Sequence, residues 1–147
     1  MENKFTVGSL YAGVGGICLG FKKAGFNLKW ANEFDKHACK TYKSNFEHDL
    51  IEGDVMNLNL SSLEKIDILT AGFPCQPFSL AGHRKGFEDR RGNHFFKILD
   101  FIDEMRPKVV FLENVKNLRG HDKGNTLKVI ESEIKKRNYT FDSAILN

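Results

Sequence analysis

The sequence contains few of the residues that mark secreted, membrane or metal-stabilised proteins. It has three cysteines, at positions 18, 39 and 75, and they form no CxxC pair. This spacing predicts neither a disulfide framework nor a zinc site, and it favours a reducing compartment. No apolar run approaches the roughly 20 residues of a membrane-spanning helix, and the N-terminus lacks a signal-peptide pattern. We therefore expect a cytoplasmic protein that binds no metal and no membrane.

The sequence also lacks a large excess of positive or negative charge, so composition alone identifies no partner. Lys and Arg number 22 against 19 Asp and Glu, for a net charge of +3, and nucleic-acid binding would depend on where the basic residues cluster. One cluster lies between residues 80 and 92, and it consists of Arg84, Lys85, Arg90 and Arg91. We predict a long loop here whose basic side chains contact phosphates, with a solvated surface as the alternative.

What the sequence does contain is a regular alternation of strand and helix patterns. Apolar runs predict strands at residues 5–11, 28–33, 51–55, 66–70 and 109–112. Helical spacing occurs between them, as at Phe95, Ile98, Leu99 and Ile102, and alternation over residues 139–145 predicts one more strand. In 147 residues, this order predicts a single α/β domain with a doubly wound, mostly parallel sheet.

A glycine-rich turn follows the first predicted strand. Gly13, Gly15 and Gly16 lie between that strand and a helix, and Glu33 ends the second strand 20 residues beyond Gly13. Glycines let a ligand approach the backbone, and a carboxylate at this spacing suits a ribose diol. The pattern predicts a nucleoside-containing cofactor without distinguishing NAD, FAD and S-adenosylmethionine, and a plain tight turn remains the alternative.

Other side chains near this turn extend the hypothesis. Tyr11 and Phe34 could enclose an adenine ring, and Asp54 could accept a hydrogen bond from its exocyclic amine. Each aromatic residue taken alone is more often part of a core. The five histidines show no spacing typical of metal ligands, and we expect them to be surface or structural residues.

Cys75 and Glu113 are the candidate catalytic residues. Cys75 follows the fourth predicted strand between Pro74 and Pro77, which fix the backbone on both sides. A thiol at the carboxyl edge of a parallel sheet is a candidate nucleophile, the alternative being an inert buried cysteine. Glu113 ends a continuously apolar run of the kind found in central strands. We therefore expect burial to raise its pKa and to make it a proton donor to a ring nitrogen, with a cap or ion-pair role as the alternative. Asn114 could hold the turn that aims it.

Taken in order, these segments resemble the cytosine-5 DNA methyltransferases of bacterial restriction-modification systems. Residues 10–16 look like the family's cofactor motif, residues 72–76 like its catalytic PCQ loop, and residues 113–115 like its ENV motif. The resemblance covers essentially the whole chain. The PCQ loop separates this interpretation from a nicotinamide dehydrogenase.

The resemblance implies a Rossmann-like, S-adenosylmethionine-dependent methyltransferase acting on double-stranded DNA. Cys75 would attack carbon 6 of a flipped-out cytosine while Glu113 hydrogen-bonds or protonates nitrogen 3, and carbon 5 would take the methyl group. The implied cofactor-binding residues are Tyr11, Gly13, Gly15, Gly16, Glu33, Phe34, Asp54 and Val55. The implied substrate contacts are the Phe73 carbonyl, Gln76 and the basic residues of the 80–92 loop.

The sequence departs from the family pattern in two places. Ser9 stands where many members have an acid, so a contact to the methionine ammonium is missing or made by water. Members also continue with a QxRxR segment, a target-recognition domain and elements that complete the sheet, and the chain has none of these. We therefore expect residues 1–147 to be a C-terminally incomplete catalytic domain that requires a complementary C-terminal chain to select a DNA sequence.

The sequence is also compatible with three other functions. The same motifs occur in enzymes that methylate cytosine in transfer RNA. A non-catalytic regulatory module, or an inactive fragment, could associate with itself through an unpaired sheet edge. A cysteine hydrolase would need a histidine base near Cys75, and the sequence offers none at a convincing position.

Overall fold

The computed structural model describes residues 5–74 and 94–146 of the chain. Five strands and four α-helices alternate through these ranges. The strands are β1 (Thr6–Leu10), β2 (Asn27–Glu33), β3 (Asp49–Glu52), β4 (Ile68–Gly72) and β5 (Val109–Glu113). The helices are α1 (Gly16–Lys23), α2 (Lys36–Lys43), α3 (His94–Met105) and α4 (Asn125–Lys135). Within the described ranges, no helix has the length and apolar character needed to cross a membrane.

The strands form one parallel sheet in the order β3-β2-β1-β4-β5. The chain builds outward from β1 in one direction through β2 and β3, and then in the other through β4 and β5. The order therefore reverses between β1 and β4, and ligands of open α/β sheets bind in the crevice at such a point, beyond the carboxyl ends of the strands. The doubly wound parallel sheet predicted from the sequence is confirmed.

Helices cover the sheet through two separate apolar clusters. Trp30 belongs to the larger cluster, which includes α3 and α4, whereas its neighbour Ala31 belongs to the smaller one with Cys18 and Tyr42 of α1 and α2. Successive strand residues point to opposite faces of a sheet, so the two clusters lie on opposite faces. On the larger side, a Cβ added to Gly8 would come within 2.4 Å of the Trp30 ring. The glycine in β1 therefore makes room for the indole.

The two outer strands differ in how their edges are protected. β3 is four residues long, and it begins with Asp49 and ends with Glu52, which pairs with Lys43. β5 instead exposes Val109 and Phe111. The expectation that residues 109–112 form a continuously buried central strand is therefore wrong, because β5 pairs only with β4 in the part of the chain that the structure describes.

The strand predicted at residues 139–145 is also absent from the described chain. Residues 139–146 have no regular secondary structure. Tyr139 and Phe141 pack against the larger cluster, the Tyr139 hydroxyl donates to the Pro107 carbonyl, and the Arg106 guanidinium lies 5.6 Å from the Tyr139 ring centroid. The alternating apolar residues thus belong to an irregular segment that packs against the larger cluster. A pattern of period two alone cannot distinguish such a segment from a strand.

Candidate active site

The carboxyl ends of β1, β4 and β5 converge at the point where the strand order reverses. A Cβ placed on Gly72, the last residue of β4, would lie 3.4 Å from a carboxylate oxygen of Glu113 and 3.7 Å from the carbonyl oxygen of Tyr11. Glu113 ends β5, and Tyr11 directly follows β1. The three strand ends therefore surround one small volume.

The turn after β1 depends on two glycines in the left-handed region. Gly13 has φ +57° and Gly15 has φ +97°, a conformation that strains other residues. A Cβ on Gly15 would also come within 2.2 Å of the Phe46 ring, whereas a Cβ on Gly13 or Gly16 would meet nothing within 4 Å. Gly15 is thus required by packing, and Gly13 and Gly16 border open space that a ligand could occupy.

Glu33 holds this turn against the end of β2. One of its carboxylate oxygens accepts a hydrogen bond from the Gly13 amide at 2.7 Å, and the other accepts from the amides of Phe34 and Asp35 at 2.9 Å each. The side chain is buried. An ionised carboxylate has about four acceptor positions, so roughly one remains for a ligand hydroxyl. Asp35 in turn caps α2 by accepting from the Ala38 amide.

The residues predicted to surround an adenine ring differ in what they offer. The Phe34 side chain is 74% exposed, so its ring is available to a ligand. Asp54 uses one carboxylate oxygen to cap the short 3₁₀ turn at Val55–Asn57, accepting from the Met56 amide at 2.9 Å. The side chain of Val55 is buried in the larger cluster, so Val55 can contribute only through its backbone.

Tyr11 has a partner that the sequence did not indicate. Its hydroxyl lies 3.1 Å from Nδ1 of His94, the first residue of α3, and the two rings meet edge to face. Burial raises the pKa of Tyr11, and the charge of Asp54 raises it further. His94, expected only to be a surface or structural residue, thus lies beside the candidate site. Its separation of 83 residues from Tyr11 leaves no local sequence signal.

On the other side of the crevice, Asn114 joins the ends of β4 and β5. Its side-chain amide donates to the Phe73 carbonyl at 2.8 Å, and its Oδ1 accepts from the Val115 amide at 2.9 Å. The Phe73 ring is buried, with its centroid 6.0 Å from that of Phe95. A carbonyl oxygen has two lone pairs, so the Phe73 carbonyl retains one for a substrate.

Glu113 is not buried. The side chain at the end of β5 is exposed, so the prediction that Glu113 is buried at the end of a central strand is wrong, because β5 is an edge strand in the described part of the chain. Cys75, Gln76, Arg84, Lys85, Arg90 and Arg91 lie outside the described residues. The described residues of this segment end at Pro74, directly before the candidate nucleophile Cys75.

Ser9 occupies the position where a family acid was expected. It is 1% exposed, and its register partner across β1 and β4 is Thr70, which is fully buried. Among the described residues, neither hydroxyl has a hydrogen-bond partner. Buried polar groups without partners are uncommon. The Ser9 and Thr70 hydroxyls are two such groups, and they lie on β1 and β4 close to the carboxyl ends of these strands.

These features fit a nucleoside-containing ligand. Open space lies over Gly13 and Gly16, the Phe34 ring is exposed, and the carboxylates of Glu33 and Asp54 are held in place by backbone amides. In the residues that the structure describes, no group of three or more potential metal ligands occurs. The groups that border the open space are backbone, an exposed aromatic ring and two carboxylates.

Comparisons with known proteins agree with this arrangement. The C-5 cytosine-specific DNA methylase family model matches residues 5–147. The Type II methyltransferase M.Bsp6I of Bacillus sp. (strain RFL6) is 50% identical over 143 residues, covering 96% of this chain and 45% of the relative. M.HhaI of Haemophilus parahaemolyticus is 46% identical over 138 residues, covering 94% of this chain and 42% of the relative.

A solved structure gives the same fold. The S. pombe Dnmt2 methyltransferase matches with a TM-score of 0.67 and 22% identity, over 88% of this chain and 42% of that structure. The chain thus spans less than half the length of the relatives it matches. The match over almost all of its own length is enough to assign the family, and the chain belongs to the C-5 cytosine-specific DNA methylases.

Proposed function

We propose that the chain carries the cofactor-binding and catalytic half of a DNA cytosine-5 methyltransferase of a restriction-modification system. The observation that supports this most strongly is the convergence of the glycine turn, Gly72 and Glu113 at one sheet edge in a chain whose residues 5–147 match the family. The curated relatives are Type II methyltransferases, the modification enzymes of such systems.

S-adenosylmethionine is the proposed methyl donor. Its adenine would lie against Phe34 and Tyr11, with Asp54 accepting from the exocyclic amine and Val55 contributing its backbone. Glu33 would accept a hydrogen bond from the ribose at the acceptor position that the three amides leave free. Gly13, Gly15 and Gly16 would let the ligand approach the backbone. When bound, this group supplies a methyl carbon made electrophilic by its sulfonium.

The chemistry proposed for the target base requires two side chains. The Cys75 thiolate would form a bond to carbon 6 of a flipped-out cytosine. Glu113 would hydrogen-bond or protonate nitrogen 3, so that the electron pair displaced by the thiolate accumulates at carbon 5, which takes the methyl group. Transfer of the methyl group releases the donor as its thioether. A water molecule would then take the carbon 5 proton, the thiolate would leave carbon 6, and nitrogen 3 would return its proton to Glu113, which restores the aromatic ring. Asn114 would set the Phe73 carbonyl to accept from the cytosine amine.

DNA contacts are proposed for residues that follow Pro74. Gln76 would act beside the target base, and Arg84, Lys85, Arg90 and Arg91 would pair with phosphates, whose charge attracts guanidinium and ammonium groups regardless of sequence. Contacts of this kind position DNA without selecting a site. We therefore assign site selection to a part of the enzyme other than residues 5–147, which match the family model.

A complementary chain or segment is the proposed partner of β5. Parallel sheets are normally covered on both faces, and exposed apolar edge strands invite pairing. β5 has this character through Val109 and Phe111, whereas β3 carries charges at both ends. A strand from the remaining part of a methyltransferase would cover β5, and in its absence the same edge would pair with a second copy of the chain.

Methyl transfer to duplex DNA tests the proposal. The chain is mixed with the remaining part of a relative such as M.Bsp6I, and transfer of a tritiated methyl group is compared on duplex DNA and on transfer RNA. We expect transfer to DNA only. In DNA that contains 5-fluorocytosine, fluorine replaces the proton that must leave, so Cys75 should remain covalently attached to the base. Transfer to RNA alone would assign the chain to the RNA enzymes instead, and a folded mixture that modifies neither would contradict a catalytic role.

A further inference from the structure

The aromatic residue at the mouth of the glycine turn is held in an unusual conformation. Tyr11 has φ +54°, in the left-handed region that bulky residues rarely adopt. Such a backbone persists only where surrounding contacts hold it, and it is common at functional sites. The contact that reaches furthest along the chain is made by the Tyr11 hydroxyl, which lies 3.1 Å from Nδ1 of His94 and 3.4 Å from the His94 carbonyl oxygen.

This contact connects two parts of the site that are distant in sequence. Tyr11 lies between β1 and the turn that Glu33 holds through the Gly13 amide. His94 is the first residue of α3, and the ring centroids of the pair are 5.4 Å apart, with their planes at 79°. Burial raises the pKa of Tyr11, so the hydroxyl keeps its proton and can donate. Its two hydrogen-bond partners, the ring nitrogen Nδ1 and the carbonyl oxygen, belong to the same residue, which fixes the direction of the ring.

We propose that His94 is a positioning residue for the methyl donor. By holding the Tyr11 hydroxyl against the first turn of α3, it fixes the Tyr11 ring in the orientation that meets the adenosine moiety. Without this hydrogen bond the ring can rotate away from the crevice, and part of the binding free energy is spent on ordering it again. This assignment rests on the proposed function, because it assumes that an adenosine group binds beside Tyr11.

Three substitutions isolate the hydrogen bond. His94→Leu removes the ring nitrogen, and Tyr11→Phe removes only the hydroxyl. His94→Asn keeps a polar atom close to the position of Nδ1. A matched control is His37→Leu, because His37 is an exposed histidine of α2 whose described hydrogen bond uses only its carbonyl oxygen. A net hydrogen bond corresponds to a change of about three- to tenfold in a binding constant.

Calorimetric titration of the full chain with S-adenosylhomocysteine and with methylthioadenosine tests the proposal. We expect His94→Leu and Tyr11→Phe each to weaken both ligands about three- to tenfold, and the double variant to lose no more than either single one. Loss of both ligands to the same extent would place the effect at the adenosine end. His94→Asn should bind like the wild type, as should His37→Leu. A purely structural role for His94 would lower the melting temperature and leave the dissociation constants unchanged.

The outcomes separate this inference from the proposed function. If the folded wild-type chain binds neither ligand, the methyl-donor pocket itself is contradicted, and the role of His94 with it. If the wild type binds both ligands and neither His94→Leu nor Tyr11→Phe changes the dissociation constants, only the positioning role is overturned. Should His94→Leu fail to fold, Tyr11→Phe decides the question, because it removes one oxygen atom from a ring that stays in place.

Discussion

The two halves of the crevice differ in how far the described chain completes them. On the side of β1, β2 and β3, Glu33 is buried and binds three backbone amides, and the glycine turn packs against Phe46. On the side of β4 and β5, Glu113 is exposed and β5 presents apolar side chains to solvent. We call these the cofactor half and the catalytic half.

This difference indicates which functions the chain can perform alone. The cofactor half is built from contacts among residues 5–54, together with His94 of α3, whose ring meets Tyr11, so its geometry is complete within the described chain. The catalytic half has its two strand ends joined by Asn114, but among the described residues the strand that carries Glu113 pairs along one edge only. We therefore expect cofactor binding without a partner, and catalysis only after β5 is covered.

Replacing either proposed catalytic side chain should have the largest effect, and it should separate the two halves. In the reconstituted assay, Cys75→Ser should abolish covalent trapping on 5-fluorocytosine DNA. Glu113→Gln removes the acid and should slow methyl transfer roughly 10²- to 10⁴-fold. Neither change touches the glycine turn, so calorimetry should give wild-type affinity for S-adenosylhomocysteine. A parallel loss of cofactor affinity would show that the halves are not independent.

The converse substitution in the cofactor half is Glu33→Gln. In the wild type, the two carboxylate oxygens accept hydrogen bonds from the backbone amides of Gly13, Phe34 and Asp35. Glutamine keeps one oxygen acceptor and loses both the second oxygen and the negative charge. Hydrogen bonds to charged groups contribute about 1.5–3 kcal/mol, so S-adenosylhomocysteine should bind roughly 10- to 100-fold more weakly. The measurement is calorimetric titration. Unchanged affinity would mean that the carboxylate is only a structural brace.

A smaller effect is expected at the joint between β4 and β5. Asn114→Asp keeps the oxygen that accepts from Val115 and removes the donor to the Phe73 carbonyl. The loss of one such hydrogen bond, about 1 kcal/mol, should lower the methyl-transfer rate by roughly fivefold at unchanged cofactor affinity. Single-turnover rates on duplex DNA provide the check. A change in cofactor affinity without a change in rate would show that Asn114 acts in the cofactor half and not in the catalytic half.

The contrast between the sheet edges can be tested by association. Val109→Lys and Asp49→Lys change the first residue of each edge strand, and a lysine on an edge opposes strand pairing. Sedimentation should show that the wild-type chain associates at high concentration, that Val109→Lys reduces this association, and that Asp49→Lys does not. Equal behaviour of the two variants would mean that the β5 edge does not mediate association.

The smallest expected effect is a pH dependence of the free energy of unfolding, caused by a partly buried pair that packs next to the glycine turn. The Tyr42 hydroxyl and Nε2 of His48 are 2.6 Å apart, and burial followed by the charge of Lys22 lowers the pKa of His48, while Asp49 opposes this. The unfolded chain, with the ordinary value of 6.5, then binds more protons than the folded chain, so stability is retained above that pH and declines below it. Urea unfolding at several pH values should show a shallower decline for His48→Gln.

The sequence predicted those elements whose signal is local. The glycine turn, the strand before Glu33, the helix that begins at His94 and the polar residues at strand ends all follow from neighbouring residues. The exposure of Glu113 could not be predicted in this way, because an apolar run has the same pattern whether or not a further strand covers it. The Tyr11–His94 contact was missed because it depends on how β1 and α3 meet in space.

We expect this chain alone to hold a methyl-donor pocket that opens over Gly16. Gly16 and Gly20 are both exposed residues of α1, and a Cβ on either would meet nothing within 4 Å, so alanine at either position should leave the fold as stable or more stable. Calorimetric titration with S-adenosylhomocysteine should show binding by the wild type and by Gly20→Ala. For Gly16→Ala, where the new methyl group would occupy ligand space, it should show affinity at least about tenfold weaker. Equal affinity of the two variants would show that the ligand does not lie over Gly16, and no binding by the folded wild-type chain would show that the chain alone forms no such pocket.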